Sequence, residues 1–150
     1  MDLLDNSIFD LPLYSVKNIQ TNGRITEVYD GDTVTVVLDL VLSKEKILQK
    51  HKIRLYGIDT PELKGPTHQK GLEARNFLIH LITQKDLELT KEYKKNEIIE
   101  MLKETKTIFK FELLGEDKYG RLLANIYRPD ETDSLNDMLL IHGYAKEYIL

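Results

Sequence analysis

The sequence predicts an α+β protein that is mainly β, a five-stranded Greek-key barrel of the OB type with two or three helices. Three observations lead there. Runs of period-two alternation, separated by turn residues, begin at Arg24 and recur to Tyr127. One long apolar stripe at helical spacing follows the third run. A serine-capped helix start follows the last. A chain of 150 residues suffices for one domain with a real core.

The elements follow in order. Residues 1–17 lack periodicity and are expected to form an appended arm, with the domain proper at 18–150. Ile25 to Tyr29 alternates, and Thr33 to Leu38 continues after a break at Asp30-Gly31. That dipeptide signals a tight hairpin turn, because glycine accepts positive φ. A polar loop at Ser43 to Lys50 leads into a third strand, Lys52 to Ile58. Thr60-Pro61 stops it, since proline has no amide hydrogen for a ladder. Over Thr67 to Thr83, Ala74, Phe77, Leu78, Leu81 and Ile82 make one apolar stripe, so a helix is expected. Asp86 to Thr90 alternates like a strand, and Tyr93 to Thr105 suits a charged surface helix with Ile98, Met101 and Leu102 on one side. Thr107 to Leu114 and Arg121 to Tyr127 are strands around a polar turn with Gly115 and Gly120 at its ends. Ser134, with Asp137 three residues on, opens a last helix that Gly143 ends.

Composition excludes several classes. No apolar run is long enough to span a bilayer. Met1 to Asp10 carries three acids and no base, the wrong charge for a secretory leader, so an intracellular, cytoplasmic protein is expected. With no cysteine, disulfides and thiolate metal sites are excluded, and the four histidines are scattered without metal-ligand spacing. The net charge of −4 argues against a protein that coats nucleic acid. Its distribution is uneven: residues 1–43 carry −5, residues 44–75 carry +4 and the remainder −3. An anionic partner would be drawn to the middle segment.

That positive segment holds Arg54-Leu55-Tyr56-Gly57-Ile58-Asp59-Thr60-Pro61-Glu62, with charges where a strand runs out into a loop. Two more stretches share this character. Asp30-Gly31-Asp32-Thr33-Val34 is a turn that does not require Asp32, and Asp117-Lys118-Tyr119-Gly120-Arg121 is a turn that does not require arginine at its exit. Each alone is explained by turn chemistry. Together, two arginines and three carboxylates at strand ends are not.

In these three motifs and their order the chain resembles the staphylococcal nuclease (thermonuclease) family. The likeness runs from about Arg24 to Tyr148 and includes Gly71-Leu72-Glu73-Ala74 and Gly143-Tyr144-Ala145-Lys146. The resemblance implies the OB-type barrel and an endonuclease that hydrolyses DNA and/or RNA at the 5′-oxygen, leaving 3′-phosphates. It implies one calcium ion, held by the carboxylates of Asp32 and Asp59 and the backbone carbonyl of Thr60. Arg54 and Arg121 match catalytic arginines, and Glu62 matches the glutamate that orients or deprotonates the attacking water. Lys118 and Tyr119 match groups that contact a nucleotide phosphate, and Tyr148 stands in for an aromatic near the base. The expected partner is a DNA or RNA substrate, with no membrane, and the expected state is a monomer.

The chain departs from the family pattern in three places. Ser43 to Lys50 lengthens the connection before Arg54, and Lys91 to Lys106 is an insertion that would shape substrate access. The family's third helix has no counterpart before Leu150, and the arm at 1–17 is the candidate substitute. The rival reading is an OB-type module that binds nucleic acid or protein without catalysis. Against it, Asp32, Arg54, Asp59, Glu62 and Arg121 are all present.

Overall fold

A computed structural model describes residues 2–11, 19–42 and 45–148. Five strands close a barrel in the order β1 (Ile19–Val28), β2 (Thr33–Leu42), β3 (Glu45–Leu55), β6 (Leu122–Tyr127), β5 (Phe109–Glu116). All neighbours are antiparallel except β3 and β6. The expected five-stranded OB-type barrel is therefore the architecture found. Alternation is what builds it, because successive side chains of a strand point to opposite faces. Val34, Val36 and Leu38 fill the interior from β2, Ile53 and Leu55 from β3, Phe109, Phe111 and Leu113 from β5, and Leu122, Ala124 and Ile126 from β6. A register shift between Ile25 and Glu27 re-aims the end of β1, so that Val28 as well as Ile25 is buried.

Three helices complete the domain: α1 (His68–Thr83), α2 (Lys95–Glu104) and α3 (Leu135–Ile141). In α1 the stripe is rotated from the expected one. Leu72, Leu78, Ile79 and Ile82 are fully buried, whereas Phe77 and Leu81 flank the core. The cause is a second neighbour: Phe77 stacks on Tyr144 with ring centroids 4.4 Å apart, beyond the end of α3. The start of α3 is as read, with the Asp137 N–H donating to the Ser134 hydroxyl at 3.0 Å, and Gly143 follows it at φ 80°.

Four local expectations are corrected. The residues expected as a polar loop at 43–50 are ladder from Glu45 onward, pairing in register from Leu42↔Glu45 to Thr33↔Arg54, so the added length extends a hairpin; residues 43–44 lie outside the described residues. The third strand does not run through to Ile58. It ends at Leu55, turns at Tyr56-Gly57 (Gly57 φ 77°), and resumes as β4 (Ile58–Asp59), which pairs with β7 (Lys146–Glu147). Asp86 to Thr90 is not a strand. The carbonyls of Glu88, Leu89 and Lys91 accept from the buried amide of Asn76, at 3.4, 2.8 and 2.7 Å, in place of a ladder. The fourth correction concerns Gly31, which does not adopt positive φ. A Cβ there would lie 2.8 Å from the Thr60 side chain, so close approach, not turn handedness, demands glycine.

Of the arm, residues 2–11 include a 3-10 helix, Asn6–Asp10, with no buried side chain; residues 12–17 lie outside the described residues. One buried polar side chain fixes the turn after β3. Asn136, on α3, donates to the carbonyls of Tyr56 (2.9 Å) and Ala124 (3.1 Å) and accepts from the Ile126 N–H (3.2 Å). Losing such a partner costs about 1–3 kcal/mol per stranded group, so Asn136 ties the Tyr56-Gly57 kink firmly to the barrel.

Candidate active site

The β3–β4 kink and the β1–β2 turn meet at one end of the barrel. The Leu55 N–H donates to the Asp32 carbonyl at 2.8 Å. Asp32 is 7% exposed, and its Oδ2 accepts the Thr60 N–H at 3.0 Å. Arg54, paired in register with Thr33, reaches across both acids, its guanidinium 3.1 Å from Asp32 and 3.4 Å from Asp59. Arg121 enters from the turn before β6. Asp117 holds it, its Oδ2 accepting from Nε at 2.6 Å and its Oδ1 from the N–H groups of Tyr119 and Arg121, each at 2.9 Å. Burial alone would raise the Asp117 carboxyl, but the hydrogen bonds from Arg121 and Tyr119 hold it below its ordinary value.

Glu62 follows Pro61 on the loop to α1, and its side chain is exposed. Its backbone is fixed: the Thr67 hydroxyl donates to its carbonyl at 2.8 Å. Gly71 lets the loop lie on α1, because a Cβ there would come within 2.5 Å of the same carbonyl oxygen.

Asp32, Arg54, Asp59, Thr60, Glu62 and Arg121 line one open cleft of about 570 Å³. Segments spread from position 32 to position 121 thus deliver six of the nine sequence-nominated residues to one place. Lys118, Tyr119 and Tyr148 lie outside that lining, at its rim. Tyr148 is 5.4 Å from the Arg54 guanidinium, and Tyr119 is 5.6 Å from that of Arg121. Tyr119 is 72% exposed.

Two residues with work to do here were missed in the sequence. One is Asp117, whose signal was its place four residues before Arg121. The other is Asp30, read only as a turn residue. Asp30 also lines the cleft, and burial together with the neighbouring Asp32 charge pushes its carboxyl up to about 7. A folded pKa above the ordinary carboxylate value means that the fold favours the protonated form. The stabilisation is present below about 4 and is lost as pH rises through about 7. Asp30→Asn is therefore expected to raise the melting temperature at pH 8 and to leave it little changed at pH 4, both measured with chelator present. Equal shifts at the two pH values would show that Asp30 is not held protonated.

The donor set suits a hard cation. Two carboxylates and a carbonyl supply only oxygen, and the crowding of Asp30 against Asp32 is the repulsion that a bound cation relieves. Among the described residues no three His, Cys, Asp or Glu side chains converge as a metal cluster. Any ion here would therefore draw its remaining oxygens from the Thr60 carbonyl, water and substrate.

The OB-type barrel thus presents two arginines, a glutamate and an oxygen-donor pair in one cleft. The chain belongs to the family described as staphylococcal nuclease homologue, whose model matches residues 52–150, which include Arg54, Asp59, Thr60, Glu62 and Arg121. That family includes nucleases. The chain is also similar to an uncharacterized protein, MJ1439, of Methanocaldococcus jannaschii, at 34% identity over 134 residues. The match covers 85% of this chain and 59% of that protein. No helix among the described residues is long and apolar enough to cross a membrane.

Proposed function

We propose that this protein is a calcium-dependent endonuclease that hydrolyses phosphodiester bonds of DNA and/or RNA at the 5′-oxygen, leaving 3′-phosphates. The observation that carries the proposal is the convergence of Arg54, Arg121 and Glu62 with Asp32, Asp59 and Thr60 on one cleft. Arg54 and Arg121 present forked guanidinium donors, so they bind the phosphoryl oxygens and stabilise the charge that gathers there in the transition state. Asp117 sets the direction of the Arg121 fork. Glu62, on its fixed loop, orients or deprotonates the attacking water from the solvent side. Asp32, Asp59 and the Thr60 carbonyl would hold calcium, which when bound polarises the phosphodiester. Tyr119 and Tyr148 offer faces to the nucleotide, and Lys118 offers its ammonium to a phosphate. No covalent intermediate is involved.

The test is digestion of single-stranded DNA and of RNA by the purified protein, with calcium or with chelator, followed by mapping of the product ends. Calcium-dependent fragments ending in 3′-phosphate are expected. Intact substrate in the presence of a folded protein that still binds it would overturn the nuclease reading.

A further inference from the structure

The cleft does not stop at the six residues. Its wall continues through Thr35 on β2 and Lys52 on β3, and it is closed by Glu27 on β1 and Lys95 at the start of α2. Thr33 pairs with Arg54 and Thr35 with Lys52. Lys52 therefore projects from the same face as Arg54, two residues away along the strand, a step of about 6.6 Å. That step is comparable with the distance between successive phosphates of an extended nucleic acid strand.

Lys95 comes from the insertion, and the structure holds its helix in place. Ile98 and Leu102 bury against the barrel. At the other end of α2 the Arg24 guanidinium donates to the carbonyls of Leu102 (3.3 Å) and Lys103 (2.8 Å). The Lys95 ammonium itself is weakly committed. It stands 3.9 Å from Glu27, with 79% of its side chain exposed, and a pair of that kind is easily exchanged for a better anion. Lys52 is likewise exposed.

We infer that Lys52 and Lys95 bind the phosphate next to the scissile one, on the side of the cut that faces α2. The insertion then makes the protein select polynucleotides over substrates with a single phosphodiester. The inference rests on the nuclease reading for its scissile phosphate, but the cationic contact itself can be measured without cleavage.

The experiment compares wild type with a Lys52→Ala/Lys95→Ala double variant. Both side chains are exposed, so the fold is not at stake. The substrates are a single-stranded oligonucleotide and a nitrophenyl phosphodiester of one nucleoside, which has no second phosphate. The expected result is a several-fold rise in KM for the oligonucleotide and a much smaller change for the ester. The dependence of log KM on log salt should flatten by about 0.7 for the lost phosphate contact on a single strand. Equal effects on the two substrates, or none on either, would overturn the inference. Oligonucleotide binding followed by fluorescence anisotropy in chelator separates the two readings. Lysine-dependent binding by a wild type that cuts neither substrate would remove the nuclease reading and leave the lysine site standing.

Discussion

Replacing Glu62 by glutamine is expected to lower kcat on single-stranded DNA by about 10²–10⁴-fold, the usual contribution of a group that takes or steers a proton in the transition state. The substitution keeps size and shape and removes only the charge. It should not disturb the loop, because Glu62 is held through its backbone by the Thr67 hydroxyl and by close contact over Gly71. Melting temperature and KM should therefore stay near wild type while turnover collapses. Initial rates at saturating substrate and calcium read this directly. A loss of less than about tenfold, far below the proton-transfer range, would mean that another group activates the water.

Arg54→Ala should produce two effects of opposite sign. Turnover is expected to fall by about 10²–10³-fold, the cost of removing one donor aimed at developing transition-state charge. Calcium binding, measured by titration calorimetry without substrate, is expected to tighten. The reason is geometric: the guanidinium sits 3.1 Å from Asp32 and 3.4 Å from Asp59, so it competes for the carboxylates that would hold the ion. Weaker calcium binding in the variant would show instead that Arg54 positions Asp32 for the metal. Unchanged turnover would remove it from catalysis altogether.

Most of this site was legible in the sequence because its residues sit at strand ends and in turns that do not need them. Turn chemistry alone requires neither a carboxylate at Asp32 nor an arginine at Arg121, which is what marks them. Asp30 escaped notice for the opposite reason: Asp-Gly is a sufficient turn, and nothing local reveals that its carboxyl is pressed against another. Lys52 and Lys95 were unreadable as a pair, since only the register of β2 with β3 and the docking of α2 bring them to one wall.

The barrel was legible from alternation, and its limits show at Asp86 to Thr90. That segment alternates as well as the true strands do. It gains no ladder because β1 already pairs with β2 and β5, and the Asn76 amide, buried in α1, takes its carbonyls. A tertiary partner overrode a local pattern. The extra residues before Arg54 misled in the other direction. Their charges suit a solvated loop, and a strand with exposed side chains, as at Gln49 and Lys50, carries charge equally well.

The pairing of β4 with β7 has a consequence in time. Asp59 belongs to a two-residue strand whose ladder partner, Lys146–Glu147, comes from nearly the far end of the sequence, and the Tyr148 N–H closes onto the Gly57 carbonyl beside it. Local hairpins such as β2–β3 close short loops and form early, while this contact must close a very long one. During synthesis the amino-terminal strands emerge first. Until Lys146 and Glu147 have been made, the growing chain therefore carries Arg54, Asp59 and Glu62 without the last tie that sets them in place, and completion of the cleft waits on their arrival.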